Sequence, residues 1–411
     1  MKWRVLAAKA VAPDKNNRAP WRNQRGMALL ITVMTISLLI AVTVQYNKTT
    51  WQQFLVANHY KTGTQLRAIA DSGINIALAV LQQDGEQKKG AANQIGSNPQ
   101  DTARIDSLLD SWAILDREKF AGLFSSGSLR LKIVDLSGRL QINGLVAHKD
   151  ASQDATQESG ATNQDAGGQQ ANRDGQGETQ QQKNGGSADT TGTNPDSGSD
   201  AGTETAIRQT LVNLLLSGYF PIEDETEAKA IVDSLIDWID EDDKESDFGA
   251  ESGYYQSLAK PYSCRNGPVQ YIEELLLVKG ITPELLFGTG EKPGLADFIT
   301  VYGDDGKVNL NTAPIQVIKS LDLQISDELL EKLGEYRNDT ANAENLADLL
   351  WYKNIDGWPG DIVLNESLIT VTSHYFQITA TGEFDTLSRS MVAVAKRTSD
   401  NGVMLLRKKT E

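Results

Sequence analysis

The sequence predicts an α+β fold: one long N-terminal helix packed on a small antiparallel sheet, interrupted by inserted all-α modules. Three observations predict it. An uncharged apolar run at 27–44 leads into a stripe of apolar residues at three- and four-residue spacing, which is one face of an amphipathic helix. Two stretches of alternating polarity lie far apart, at 129–143 and 375–396. The chain between them carries helical patterns, not strands.

The apolar run organises the chain. At 1.5 Å per residue its 18 residues reach about 27 Å, close to the hydrocarbon thickness of a bilayer. Residues 1–26 form a basic leader with Lys2, Arg4, Lys9, Lys15, Arg18, Arg22 and Arg25 against one acid, Asp14. Positive flanks resist translocation, so the leader stays on the cytoplasmic side and the rest crosses. A secretory signal would end in a small-x-small cleavage site, and Val42-Thr43-Val44-Gln45-Tyr46 is a poor one. A plain signal-anchor fits the apolar run alone. The string Arg25-Gly26-Met27-Ala28-Leu29-Leu30, with Gly between charge and apolar core, resembles a class III (prepilin-type) signal.

That resemblance implies cutting after Gly26 by the prepilin peptidase, with N-methylated Met27 as the new N-terminus. Pilins and pseudopilins usually carry a Glu at the fifth mature position, where a neighbour's N-terminal ammonium meets it. A lone carboxylate in lipid is costly, so that Glu needs its partner. Here the position is Ile31. Its lack of a carboxylate resembles the K-type minor pseudopilins of the type II secretion system, since a subunit at the tip has none above it to neutralise.

Composition limits the alternatives. The chain has 411 residues, 39% hydrophobic, enough for two or three domains with cores. Its formal net charge is -16, and loss of a leader carrying +6 would take it to -22. Such a body repels nucleic acid and anionic headgroups and suits cationic partners or divalent metals. Cys264 is the only cysteine, which excludes an intrachain disulfide, and His59, His148 and His374 lie too far apart in sequence for a zinc motif.

The elements follow in order. The stripe Leu66, Ile69, Ala70, Gly73, Ile74, Ala77, Leu78, Leu81 extends the helix through 45–84, with a polar loop over 85–100 and a short amphipathic helix over 104–115. Leu129, Leu131 and Ile133 alternate with Arg130 and Lys132; Leu136-Ser137-Gly138-Arg139 reads as a turn; Leu140 and Ile142 restart the alternation, so a hairpin is expected. Residues 151–203 hold no Leu, Ile, Val, Met or aromatic and are expected to be a disordered linker, with ends about 40 Å apart as a coil. Residues 204–300 form a first helical module and 304–365 a second, opened by Asn311-Thr312-Ala313-Pro314. Val278-Lys279-Gly280-Ile281 joins two helical segments in a SAM-like or helix-hairpin-helix-like turn. The second segment opens with Pro283-Glu284 in an acidic module, so phosphate binding there is disfavoured. The sheet closes at 375–396, and 401–411 reads as a tail. A pilin-like head split into 85–148 and 370–400 around helical insertions resembles the K-type plan along essentially the whole mature chain.

The chemistry-bearing stretch is 237–251, with eight carboxylates and one Lys. Acids at a helix C-terminus oppose the macrodipole and repel each other. They stay in water, take protons or bind a hard cation, and oxygen-only ligands favour calcium. Asp240, Asp242 and Glu251 fall at EF-hand positions 1, 3 and 12, but Lys244 and Glu245 at positions 5 and 6 break that motif. The segments Asp237-Trp238-Ile239-Asp240-Glu241-Asp242 and Gly249-Ala250-Glu251-Ser252-Gly253-Tyr254-Tyr255 resemble the calcium-binding stretch of K-type pseudopilins. The resemblance implies a calcium site on Asp237, Asp240, Asp242 and Glu251, weakened where Ser252 and Gly253 replace two acids. Asp304-Asp305-Gly306 reads first as a turn and second as a contributor.

Catalysis finds little in the sequence: no phosphate loop, no nucleophile elbow and no HExxH. The resemblance to K-type pseudopilins implies a structural, non-enzymatic tip subunit, single-pass in the inner membrane with its body in the periplasm. The partners implied are the I- and J-type minor pseudopilins, the major pseudopilin below, and the prepilin peptidase; no nucleic acid is among them. Two rivals remain: a DNA-binding minor pilin or competence pseudopilin, and an anchored metal-dependent periplasmic hydrolase built on the Asp240 cluster.

Overall fold

This computed structural model describes residues 26–94, 105–115, 120, 122–146, 197–290, 292–303, 305–398 and 402–410. The chain divides into two units, 1–66 and 67–411. Helix α1, Met27–Gln94, begins in the first and ends in the second.

In the first unit every residue from Gly26 to Lys61 is exposed. The segment is long and apolar enough to cross a membrane. A helix that is apolar all round needs lipid or other helices around it. Three of its hydroxyls are satisfied locally: Thr32, Thr35 and Thr43 donate to the carbonyls of Leu29, Thr32 and Leu39 at 2.7–2.9 Å. The exposed apolar surface runs past the expected span, through Trp51, Phe54, Leu55, Val56 and Tyr60.

The second unit is built on a four-stranded antiparallel sheet of order β1-β6-β7-β8, from β1 (Ser128–Asp135), β6 (Tyr375–Phe384), β7 (Leu387–Arg397) and β8 (Val403–Thr410). Alternation puts Leu129, Leu131, Ile133, Phe376, Ile378, Ala380, Met391, Ala393 and Ala395 into the core. The α1 residues Ile69, Ala70, Ile74, Ala77 and Leu81 are buried too. Gly73 marks the close approach of helix to sheet: a Cβ there would lie 2.6 Å from Leu129 Cδ1 and 3.0 Å from Ala380 Cβ.

Five expectations are corrected. First, α1 reaches Gln94 and so absorbs the start of the expected 85–100 loop; Lys88 holds the added turns through Asp84, Asp106 and Asp110 at 2.8–3.2 Å. Second, residues 105–115 form turns, not a helix. Ser107 N donates to Asp110 Oδ2 (2.9 Å) and Leu109 N to Ser107 Oγ (3.2 Å), so short polar side chains compete for the backbone. Third, the 129–143 hairpin does not form. β1 pairs with β6, while β2 (Leu140–Gln141) pairs in parallel with β3 (Ile299–Thr300). Fourth, the stretch expected to be disordered ends in helix: α2 spans Ser197–Leu215, and 151–196 lies outside the described residues. Fifth, the 401–411 tail is mostly strand β8.

The inserted part contains α2, α3 (Glu225–Ile239), α4 (Ser252–Gln256), α5 (Pro283–Phe287), α6 (Ile315–Leu321) and α7 (Asp327–Asn338). The helical turn at 278–281 is present in reduced form, with a 3-10 segment Ile272–Leu277 before it, Gly280 at φ 84° and Thr282 capping α5. One hydrophobic core runs through both expected modules, from Leu140 to Val371. The parallel pair of β4 (Val308–Asn309) and β5 (Ile369–Thr370) returns the chain to the sheet.

Candidate metal centre

The C-terminal end of α3 carries Asp237 and Asp240, fully and largely withdrawn from solvent respectively. Apolar Ala228, Ile231, Val232, Leu235 and Ile239 seat this helix in the core, which pulls Asp237 down with them. The chain loops through 241–250 and returns at Glu251, the N-cap of α4, whose Oε2 accepts from Ser252 N at 3.2 Å. Asp237, Asp240 and Glu251 each place a carboxylate oxygen within 4.8 Å of the others.

Asp237 accepts from Ser246 N at 3.1 and 3.2 Å. Gly249 lies against the same carboxylate, where a Cβ would be 1.8 Å from Asp237 Oδ2. Only a residue without a side chain passes there. Lys279 Nζ holds this turn from behind by donating to the carbonyls of Gly249 (2.8 Å) and Phe248 (3.3 Å). Trp238 and Tyr255 pack edge to face beside the site, 5.1 Å apart.

The three carboxylates lack a counter-charge. No ion pair joins them to any cation among the described residues. Asp240 Oδ1 and Glu251 Oε1 are buried without a hydrogen-bond partner. Burial, reinforced by the neighbouring carboxylates, pushes Asp240 up to about 6 and Glu251 up to about 7. Orphaned, mutually repelling oxygens converging on one point fit a hard cation, and an all-oxygen set fits calcium. When bound, such an ion would neutralise the charge and tie α3 to α4. Asp242 is not one of the three: it is exposed, and its Oδ1 accepts from Lys244 N at 2.8 Å. Asp305 is elsewhere, accepting from Gln141 Nε2 at 2.7 Å and Lys307 N at 3.0 Å, and Asp304 lies outside the described residues.

A second acidic cluster shows the contrast. Asp84, Asp106 and Asp110 also converge, but Lys88 and Arg397 lie among them. Arg397, fully buried, donates to Asp106 Oδ1 (2.5 Å), Asp84 Oδ2 (2.8 Å) and the carbonyl of Leu81 (3.2 Å). Here protein cations take the place of a metal. Sequence reading misses this cluster because its members stand up to 313 residues apart.

At the N-terminus, Gly26 sits in a turn and Met27 opens α1; Leu30 N donates to the Gly26 carbonyl at 3.1 Å. Ile31 is exposed one turn on.

The comparisons bear on this architecture. Residues 193–288, which hold Asp237, Asp240 and Glu251, match the family "Type II secretion system (T2SS), protein K". This stretch of the chain resembles type II secretion protein K. The protein K of Pseudomonas aeruginosa strain PAO1 is 22% identical over 340 residues, covering 80% of this chain and 72% of its own. A chain of the crystal structure of the GspK-GspI-GspJ complex from enterotoxigenic Escherichia coli superposes with a TM-score of 0.51 at 15% identity, covering 86% of this protein and 99% of that chain. The fold of this protein, an N-terminal apolar helix with an antiparallel sheet and inserted helices, is consistent with that neighbour.

Proposed function

We propose that this chain is a structural, non-enzymatic minor pseudopilin of the K type that starts and caps the type II secretion pseudopilus, anchored once in the inner membrane with its body in the periplasm. The observation that carries this reading is the helix that opens at Met27, directly after Gly26, with an uncharged apolar run over 27–44 that is exposed on every side. Such a helix is a shared packing surface for lipid and for sister subunits. Ile31 leaves no carboxylate for a subunit above to neutralise, which suits the topmost position. The partners are I- and J-type minor pseudopilins, consistent with the complex in which the structural neighbour was solved, and the major pseudopilin below. Calcium on Asp237, Asp240 and Glu251 holds the loop 241–250 in shape.

The test is mass spectrometry of the N-terminus of the membrane form, in cells with and without prepilin peptidase. N-methyl-Met27 that appears only with the peptidase supports the reading. An intact Met1, or a cut beyond Val44, overturns it. The anchored-hydrolase rival requires Asp240→Asn to abolish a turnover while leaving the fold intact, and the DNA-binding rival requires duplex binding at physiological salt.

A further inference from the structure

The sheet has a second face, turned away from α1. Two rows of side chains cross it in register: Lys132, Thr379, Val392, Lys409, and Val134, Gln377, Val394, Arg407. Three strand spacings separate the ends of each row, about 14 Å. The first inserted module overhangs the Thr379–Gln377 part of this face and leaves a cleft of about 390 Å³, within the size range of ligand clefts. Val392 and Val394 line its floor, and Phe287, half exposed, lies on the opposite wall.

The polar groups of the cleft point to its occupant. The Gln377 amide and Thr379 hydroxyl line the floor and make no hydrogen bond among the described residues. Arg139, Arg407 and Lys409 line the cleft, in a chain of net charge -16. Each is held in place: Arg139 Nη1 donates to the Ala296 carbonyl (2.9 Å), Arg407 lies 4.4 Å over the Tyr271 ring, and Lys409 pairs with Glu273 at 3.2 Å. Glu273 and Asp297 line the same space, so the local excess is one positive charge. A dense polyanion would meet those two acids and the acidic body. A single carboxylate meets the cations instead.

We propose that this cleft binds an extended peptide segment of a partner protein, one that alternates apolar and acidic side chains. The peptide backbone exchanges hydrogen bonds with Gln377 and Thr379, the apolar side chains pack on Val392, Val394 and Phe287, and a carboxylate meets Arg407 or Arg139.

The full chain in detergent is titrated into a fluorophore-labelled acetyl-Val-Leu-Glu-Val-Asp-amide and followed by anisotropy. The expected result is saturable binding, about tenfold tighter than for the peptide with Lys in place of both acids. Thr379→Trp, which fills the cleft from an outward position, abolishes it, and Arg407→Glu weakens it about tenfold. If Thr379→Trp lowers the melting temperature, Arg407→Glu decides. No binding at about 1 mM, equal binding of the two peptides, or unchanged binding by either folded variant overturns the proposal. So does displacement of the peptide by a DNA duplex or by phosphatidylglycerol vesicles. The outcome is independent of where the N-terminus is cut.

Discussion

Replacing Gly249 by Ala tests the metal centre without removing a ligand. The added Cβ would lie 1.8 Å from Asp237 Oδ2, where ordinary contact begins at 3.4 Å. The carboxylate must therefore move by about 1.5 Å, out of the arrangement that brings three oxygens within 4.8 Å of each other. Displacing one ligand through its support costs about 10–100-fold in metal affinity. The consequence for stability follows by mass action. At calcium 100-fold above the dissociation constant the ion adds about 2.7 kcal/mol to the native protein; after a 100-fold loss of affinity it adds about 0.4 kcal/mol. For a body of this size the calcium-induced rise in melting temperature should shrink from about 5–11 °C to about 1–2 °C. Calcium titration followed by Trp238 fluorescence, with thermal melts in calcium and in chelator, reads both quantities. An unchanged calcium affinity in a folded Gly249→Ala protein would refute the assignment of Asp237 to the site.

Further predictions concern pH, the buried ion cluster and the helix–sheet contact. With chelator present, Asp240 and Glu251 bind protons more tightly folded than unfolded, so their contribution to stability is fullest in acid and is lost as pH rises from about 4 through about 7. Calcium should flatten that slope, which melts between pH 5 and 8 will show. Arg397→Met leaves Asp84 and Asp106 buried without their guanidinium and should cost about 3–5 kcal/mol in urea unfolding. Lys88→Met, at the partly exposed end of the same cluster, should cost distinctly less, and equal losses would contradict this division of roles. Gly73→Val drives a side chain into Leu129 and Ala380 and should cost about 1–3 kcal/mol, measured in the same way.

Local chemistry made several elements readable from the chain itself. The 3.6-residue stripe from Ile69 to Leu81 and the alternation over 375–396 each record their own burial, and the apolar run from Met27 records a helix, because period and face are set within a few residues. Three of the four expected carboxylates, Asp237, Asp240 and Glu251, do converge, and all come from one short acidic stretch that local reading can find.

Other features depend on residues that meet only when the chain is folded. The alternation of β1 was legible but its partner was not. Leu131 faces Ala380, and the nearby Leu140 instead pairs with Ile299. Alternation specifies a face, and register comes from the partner. The final strand was missed because Met404, Leu405 and Leu406 are consecutive apolar residues without alternation. It forms where β7 offers an open edge, with a bulge after Val394, and is pinned by Lys408 to Asp71 and Lys409 to Glu273. The exclusion of Asp242 from the carboxylate group follows from a local turn onto Lys244, and the need for Gly249 from an oxygen twelve residues earlier. By itself the sequence determined the apolar helix from Met27, its stripe to Leu81 and the strands over 375–396, since those follow from local periodicity. Only the tertiary structure decided which carboxylates lack a counter-ion and which find Arg397, since that depends on charges brought together from opposite ends of the chain.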